Sequence, residues 1–216
     1  LIGGEPGVGK SRVVLAMKEE ATQESDAWMT ELRCSPFHQN SSLYPITEFL
    51  ERVVLQFARD ETVEERLKKV DGWVRQYDHD PATTVPLLAS LLSIPLGEDY
   101  LPLNLTPQKQ KERTIDFLIA VLLSRAENQP VLFVLEDLHW ADASTLEMID
   151  KFIERCTDSR VLTLLTYRPQ FKPYWEARPN MIQIDLAGLP HSEGEEIIRK
   201  AAGNKELPPE AVHYIL

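Results

Sequence analysis

Gly4-Glu5-Pro6-Gly7-Val8-Gly9-Lys10-Ser11 fits the pattern G-x-x-x-x-G-K-[ST] without a mismatch, and the rest of the chain is best read outward from it. Its flanks suit the pattern: Leu1-Ile2 reads as the end of an apolar strand, and Val13 to Met17 reads as helix. Glycines let the backbone curl so that successive N–H groups point inward, which makes a cradle for a phosphate. The helix that follows adds the partial positive charge of its N-terminus. In such a loop Lys10 reaches the β- and γ-phosphates of a nucleotide, and the Ser11 hydroxyl ligates Mg²⁺. The competing reading is an ordinary glycine-rich turn, which leaves the Lys-Ser pair unexplained.

A second signal lies far downstream. Val131 to Leu135 contains no polar residue and is followed at once by Glu136-Asp137. Two carboxylates at the end of a buried strand are what a phosphate loop needs opposite it, one for the Mg²⁺ shell and one to orient or deprotonate water. On order alone Glu136 takes the metal and Asp137 acts as base; the more usual order, Asp first, would exchange the roles. The next residues are Leu138-His139-Trp140-Ala141-Asp142, where a His beside a Trp in a turn is more often packed than reactive. Asp142 suits a helix N-cap. A fourth strand, Val161 to Thr166, runs into Tyr167-Arg168-Pro169. In a sheet of this kind it lies between the phosphate loop and the acidic strand, so Arg168 is a candidate γ-phosphate ligand, with a surface ion pair as the alternative.

Five β-type runs are legible: Leu1-Ile2, Ala27 to Cys34, Val131 to Leu135, Val161 to Thr166 and Met181 to Leu186. Helical patterns separate them. Ser11 to Glu20 follows the loop, and Ile46, Phe49, Leu50, Val53, Val54 and Phe57 form an amphipathic stripe. Val63, Leu67, Val70 and Val74 form another, with Glu64–Lys68 and Glu65–Lys69 pairs on its wet side. Thr106-Pro107 opens a helix carrying Ile115, Leu118, Ile119 and Leu122, and Ser144 with Glu147 has capping-box spacing before Met148. The expected fold is a layered α/β domain with a mainly parallel five-stranded sheet. Residues 1–188 form the core, 36–128 a helical insertion between strands two and three, and 189–216 the start of a truncated helical lid. That lid begins with a helix from Ser192 to Ala202 and another at Pro208-Pro209. The chain starts at Leu1 rather than Met and stops at Leu216 within a helical pattern, so it reads as a piece of a longer protein with a clipped first strand.

Composition narrows the function classes. The chain has 216 residues, 43% hydrophobic and 26% charged, which is globular composition. A net charge of −11 argues against direct nucleic-acid binding, which depends on clustered positive charge. The short basic run Lys109, Lys111 and Arg113 reads as a solvated helix face, and the four tryptophans as packing. Two cysteines without ligand spacing read as reduced thiols, and no long apolar run points to a membrane. The location expected from this is cytoplasmic.

Taken in order, Gly4 to Arg12, Leu135 to Leu146 and Thr166 to Pro169 resemble the predicted ATPase domain of signalling proteins in the STAND branch of the AAA+-like P-loop NTPases. The Glu-Asp-Leu-His-Trp-Ala-Asp segment is the most specific part of that likeness. The resemblance implies an α/β three-layer sandwich of the P-loop NTPase type (ASCE/AAA-like), and an ATP- and Mg²⁺-dependent regulatory switch that hydrolyses slowly and alternates with ADP. It implies fused or associated cyclase, kinase or transcription-regulator effectors, and nucleotide-dependent oligomers. It places Gly4, Glu5, Pro6, Gly7, Val8, Gly9, Lys10, Ser11 and Arg12 around the nucleotide, Ser11, Glu136 and Asp137 at the metal, and Glu136, Asp137 and Arg168 in catalysis. ATP over GTP comes from the resemblance alone. A small-molecule kinase using the same loop, an AAA+ motor on DNA and a scaffold without hydrolysis are the competing readings.

Overall fold

The structure is a computed structural model and describes residues 1–24, 26–173, 175, 178–203, 207–208 and 210–212. Five strands, β1 (Ile2–Gly4), β2 (Trp28–Arg33), β3 (Val131–Glu136), β4 (Val161–Tyr167) and β5 (Ile184–Leu186), form one sheet in the order β2-β3-β4-β1-β5. All four pairings are parallel. Strand β4 therefore separates the strand before the phosphate loop from the acidic strand.

Sequence alternation assigns the two faces. Leu132 and Val134 of β3 pack with Ile2, Leu164 and Val14, the last from helix α1 (Lys10–Glu24). The alternate residues Val131, Phe133 and Leu135 pack with the opposite layer. That layer includes α6 (Ala143–Arg155), whose Met148, Ile149, Phe152 and Ile153 are buried. Phe133 and Phe152, 1% and 0% exposed, meet with ring centroids 5.1 Å apart. Each buried ring contributes about 1.5–3 kcal/mol by leaving water, which makes this contact a main weld between α6 and the sheet.

Between β2 and β3 lie α2 (Tyr44–Phe49), α3 (Val63–Val74), α4 (Pro81–Leu91) and α5 (Pro107–Asn128). Helix α5 starts as its sequence dictates: Thr106 Oγ1 accepts from Lys109 N, and Pro107 occupies the first turn. Its Ile115, Leu118, Ile119 and Leu122 are buried. A last helix, α7 (His191–Ala202), follows β5, and residues 210–212 are helical; Pro209 and Leu216, named above, lie outside the described residues.

Four local expectations need correction. The stripe from Ile46 to Phe57 is not one α-helix: after α2 the chain passes into a π-helical turn over Leu50–Val54, which leaves Val53 55% exposed. Helix α6 is capped by Asp142, not by a Ser144–Glu147 box; Asp142 accepts from both Ser144 N and Thr145 N, and Glu147 instead pairs with Lys111 and Lys151. The Glu64–Lys68 pair forms, but Glu65 closes a capping box with Thr62 and leaves Lys69 to Glu61. A backbone N–H at a helix start is the more demanding partner, because it has no other acceptor. Strand β5 begins at Ile184, three residues later than Met181.

Candidate functional site

The candidate residues meet at the carboxyl ends of β1, β4 and β3. Gly7 and Gly9 carry φ of 82° and 103°, values open to glycine and strained for other residues. Together they turn the chain from β1 into α1. Gly4 is needed for space, since a Cβ there would stand 2.7 Å from Val8 Cγ1 and 3.0 Å from Leu186 O. Val13 N and Arg12 N both donate to Gly9 O, so the loop ends directly on the first helical turn. Lys10 Nζ folds back over the loop and donates to Gly4 O at 2.8 Å and Glu5 O at 2.9 Å.

Sequence-distant partners then assemble. Ser11 Oγ donates to Glu136 Oε2 at 2.7 Å, across 125 residues. A hydroxyl and a carboxylate side by side are hard oxygen donors, the chemistry that suits Mg²⁺. No cluster of three or more His, Cys, Asp or Glu exists among the described residues, so a cation here would rest on this pair and on phosphate oxygens. Asp137 is set apart from Glu136 by backbone geometry. It sits at φ 60°, ψ 44°, where the chain leaves β3 for a 3₁₀ turn over Leu138–Trp140. That left-handed conformation is one Asp tolerates better than most residues. Its N–H donates to Thr166 Oγ1 at 3.0 Å, and its carboxylate accepts from Arg33 Nε at 2.9 Å. The carboxylate beside Arg33 raises the guanidinium's pKa above its ordinary value.

Arg168, half-buried at the end of β4, stands over the Trp140 ring at 5.7 Å. His139 lies against Trp140 with ring centroids 4.9 Å apart, and neither of its nitrogens has a hydrogen-bond partner among the described residues. Burial lowers the His139 pKa first, and the positive charges of Arg168 and Lys10 lower it further against the opposing pull of Asp137. Lys10, Asp137 and Arg168 are thus near enough to act on one imidazole. Asp142 performs no such role: 5% exposed, it caps α6 and also accepts from Leu43 N and Thr145 Oγ1.

Arg33 and Thr166 both bond to Asp137, a part that the sequence reading assigned to neither. Thr166 sits one residue before the Tyr-Arg-Pro signal and could have been suspected from that place. Arg33 becomes visible only once β2 is registered on β3, where it lies opposite Glu136. Beside the loop, Tyr167 donates to Asp185 at 3.3 Å over Gly3, where a Cβ would collide with both side chains. A cavity of about 420 Å³ opens there, lined in part by Gly4, Glu5, Phe171 and Asp185.

Comparison with known proteins agrees with this architecture. The chain is similar to the uncharacterized protein R02095 of Rhizobium meliloti (strain 1021), 24% identical over 195 residues, covering 89% of this chain. It spans 18% of that protein's length. A family model described as the AAA ATPase domain matches residues 1–164, taking in the loop, the insertion and the acidic strand end. On that match, over most of its length, the chain belongs to the AAA ATPase domain family.

Proposed function

We propose that this domain is an ATP-binding, slowly hydrolysing regulatory switch of a larger cytoplasmic signalling protein. The observation that supports the reading is the 2.7 Å hydrogen bond from Ser11 to Glu136, which joins the hydroxyl after the loop to the acid that ends β3. ATP would enter with its phosphates on the N–H groups of the loop from Gly4 to Gly9. Lys10 would exchange the Gly4 and Glu5 carbonyls for phosphate oxygens, an exchange its flexible stem permits. Ser11 and Glu136 would hold Mg²⁺, which supplies charge neutralisation to the β- and γ-phosphates. Asp137 would take the proton of the attacking water, and Arg168 would face the γ-phosphate from β4. The 420 Å³ cavity beside Gly4 offers room for the base, next to the Asp185 carboxylate and Phe171.

Slow turnover belongs to the same reading, as in P-loop domains whose arginine-finger site is not completed. P-loop domains of that kind turn over at about 10⁻⁴ to 10⁻² s⁻¹. A cycle so slow serves to hold a state rather than to drive flux, and ATP or ADP would favour different relations between the sheet and the helices after β5. The test is a pair of variants. Asp137→Asn should keep ATP affinity while lowering turnover by a factor of about 10² or more. Glu136→Gln should instead raise the Mg²⁺ concentration needed for binding. The opposite assignment of losses would exchange the two roles, and turnover of hundreds per second by the wild type would refute the switch.

A further inference from the structure

Behind edge strand β2, a cavity of about 270 Å³ lies between the sheet and the helical insertion. Trp28, Phe49, Trp73, Tyr77, Leu118 and Phe133 line it, so its walls are aromatic and aliphatic. Thr30, Gln76 and Arg125 also line it, and Thr30 and Arg125 each carry a buried atom with no hydrogen-bond partner among the described residues. Thr30 is 2% exposed, and its Oγ1 is unpaired; the unpaired atom of Arg125 is Nε. The Arg125 guanidinium stands 5.9 Å from the Trp28 ring and 5.9 Å from the Tyr77 ring, which hold it in place. Trp28 and Thr30 share one face of β2, so the cation and the hydroxyl occupy neighbouring parts of the wall.

Buried donors without acceptors are unfavourable, and an acceptor entering the cavity would relieve both. An arginine fork matches a carboxylate better than any neutral acceptor. Val53, exposed, marks the mouth and belongs to the π-helical turn, a rare geometry that recurs at functional sites. Size limits the occupant. A cavity of about 150 Å³ accommodates benzene, so this one has room for about eleven non-hydrogen atoms.

We propose that the cavity binds a small aryl carboxylate, its ring among the aromatic side chains and its carboxylate on Arg125 and Thr30. The strand forming its floor ends at Arg33, the partner of Asp137, so an occupant would rest on the element that reaches the acidic strand end. Occupancy is measurable without nucleotide and stands apart from the ATPase reading.

The experiment is a titration of the whole chain with 3-phenylpropionate and phenylacetate, each against its amide, by ligand-observed NMR and thermal shift. Saturable binding of an acid is expected, with the matching amide about tenfold or more weaker. Arg125→Met should erase that preference, Thr30→Val should weaken acid binding, and Lys10→Ala should leave it unchanged. The comparison of acid with amide on the wild type needs no variant, so a variant that fails to fold does not remove the test. No saturable binding of either acid by about 10 mM, the upper end of meaningful affinity for so small a ligand, would overturn the proposal. Equal binding of acid and amide would overturn it too.

Discussion

Asp137 is held by three constraints at once: a left-handed backbone, a hydrogen bond from its N–H to Thr166, and an ion pair with Arg33. The first two aim the side chain, while the third occupies it. Arg33 is 67% exposed, and ion pairs of that exposure contribute about 0–1 kcal/mol, so its removal should barely change stability. Arg33→Ala should free the carboxylate and raise ATP turnover a few-fold at unchanged ATP affinity, read in steady-state kinetics. A drop in turnover would mean that Arg33 positions the acid rather than restrains it. Cys34 makes a prediction of a different kind. Burial, with Asp142 and Asp137 nearby, pushes its thiol up to about 12 from 9.0. The unfolded thiol ionises first as pH rises, so this contribution to stability is complete below pH 9 and is lost progressively toward about 12. Iodoacetamide at pH 8 should therefore leave Cys34 and the likewise raised Cys156 unmodified until denaturant is added. Rapid labelling of the folded chain would contradict that burial.

At the scale of elements, Asp142 decides how α6 meets the insertion. Its carboxylate takes two N–H groups of the helix start, the Thr145 hydroxyl and the Leu43 N–H, 99 residues away. Leu43 itself is in a left-handed conformation at the entry to α2. Asp142→Ala would strip a cap and leave buried donors unpaired, a loss of about 2–4 kcal/mol in chemical denaturation. Asp142→Asn should lose less, because the amide oxygen still accepts. A loss under about 0.5 kcal/mol for the alanine variant would show that the N–H groups find other partners. This element also shows why local sequence rules fall short. Ser144 and Asp142 both suit an N-cap, and the tie is broken by Leu43, whose neighbourhood to α6 no spacing reveals. The π-helical turn has the same origin: apolar spacings of three and one read as α-helix, and only the packing of Leu50 against the sheet layer exposes Val53. By contrast, the phosphate loop and the Thr106-Pro107 start were legible, because every residue that forms them is contiguous.

For the whole molecule, the order β2-β3-β4-β1-β5 was legible in its essential part. The place of β4 between the loop and the acids was expected from the kind of sheet the loop implies, and the strand order agrees. The pairing of Arg33 with Asp137 was not legible, because it depends on parallel register between segments 104 residues apart. The chain carries a net charge of −11, while the proposed ligand is itself a polyanion. On the proposed function, entry of ATP would rely on local positive groups, Lys10, Arg168 and the start of α1, and on the charge neutralisation that Mg²⁺ would supply. The most direct test of this account is a thermal-shift titration with Mg-ATP on the wild type and on Lys10→Ala, with Mg-ADP and Mg-GTP alongside. A ligand at about 100 times its Kd should raise the midpoint by about 5–10 °C for a chain of this size, with ATP above GTP and the response lost in Lys10→Ala. No shift in the wild type, or an equal shift in the variant, would contradict the account.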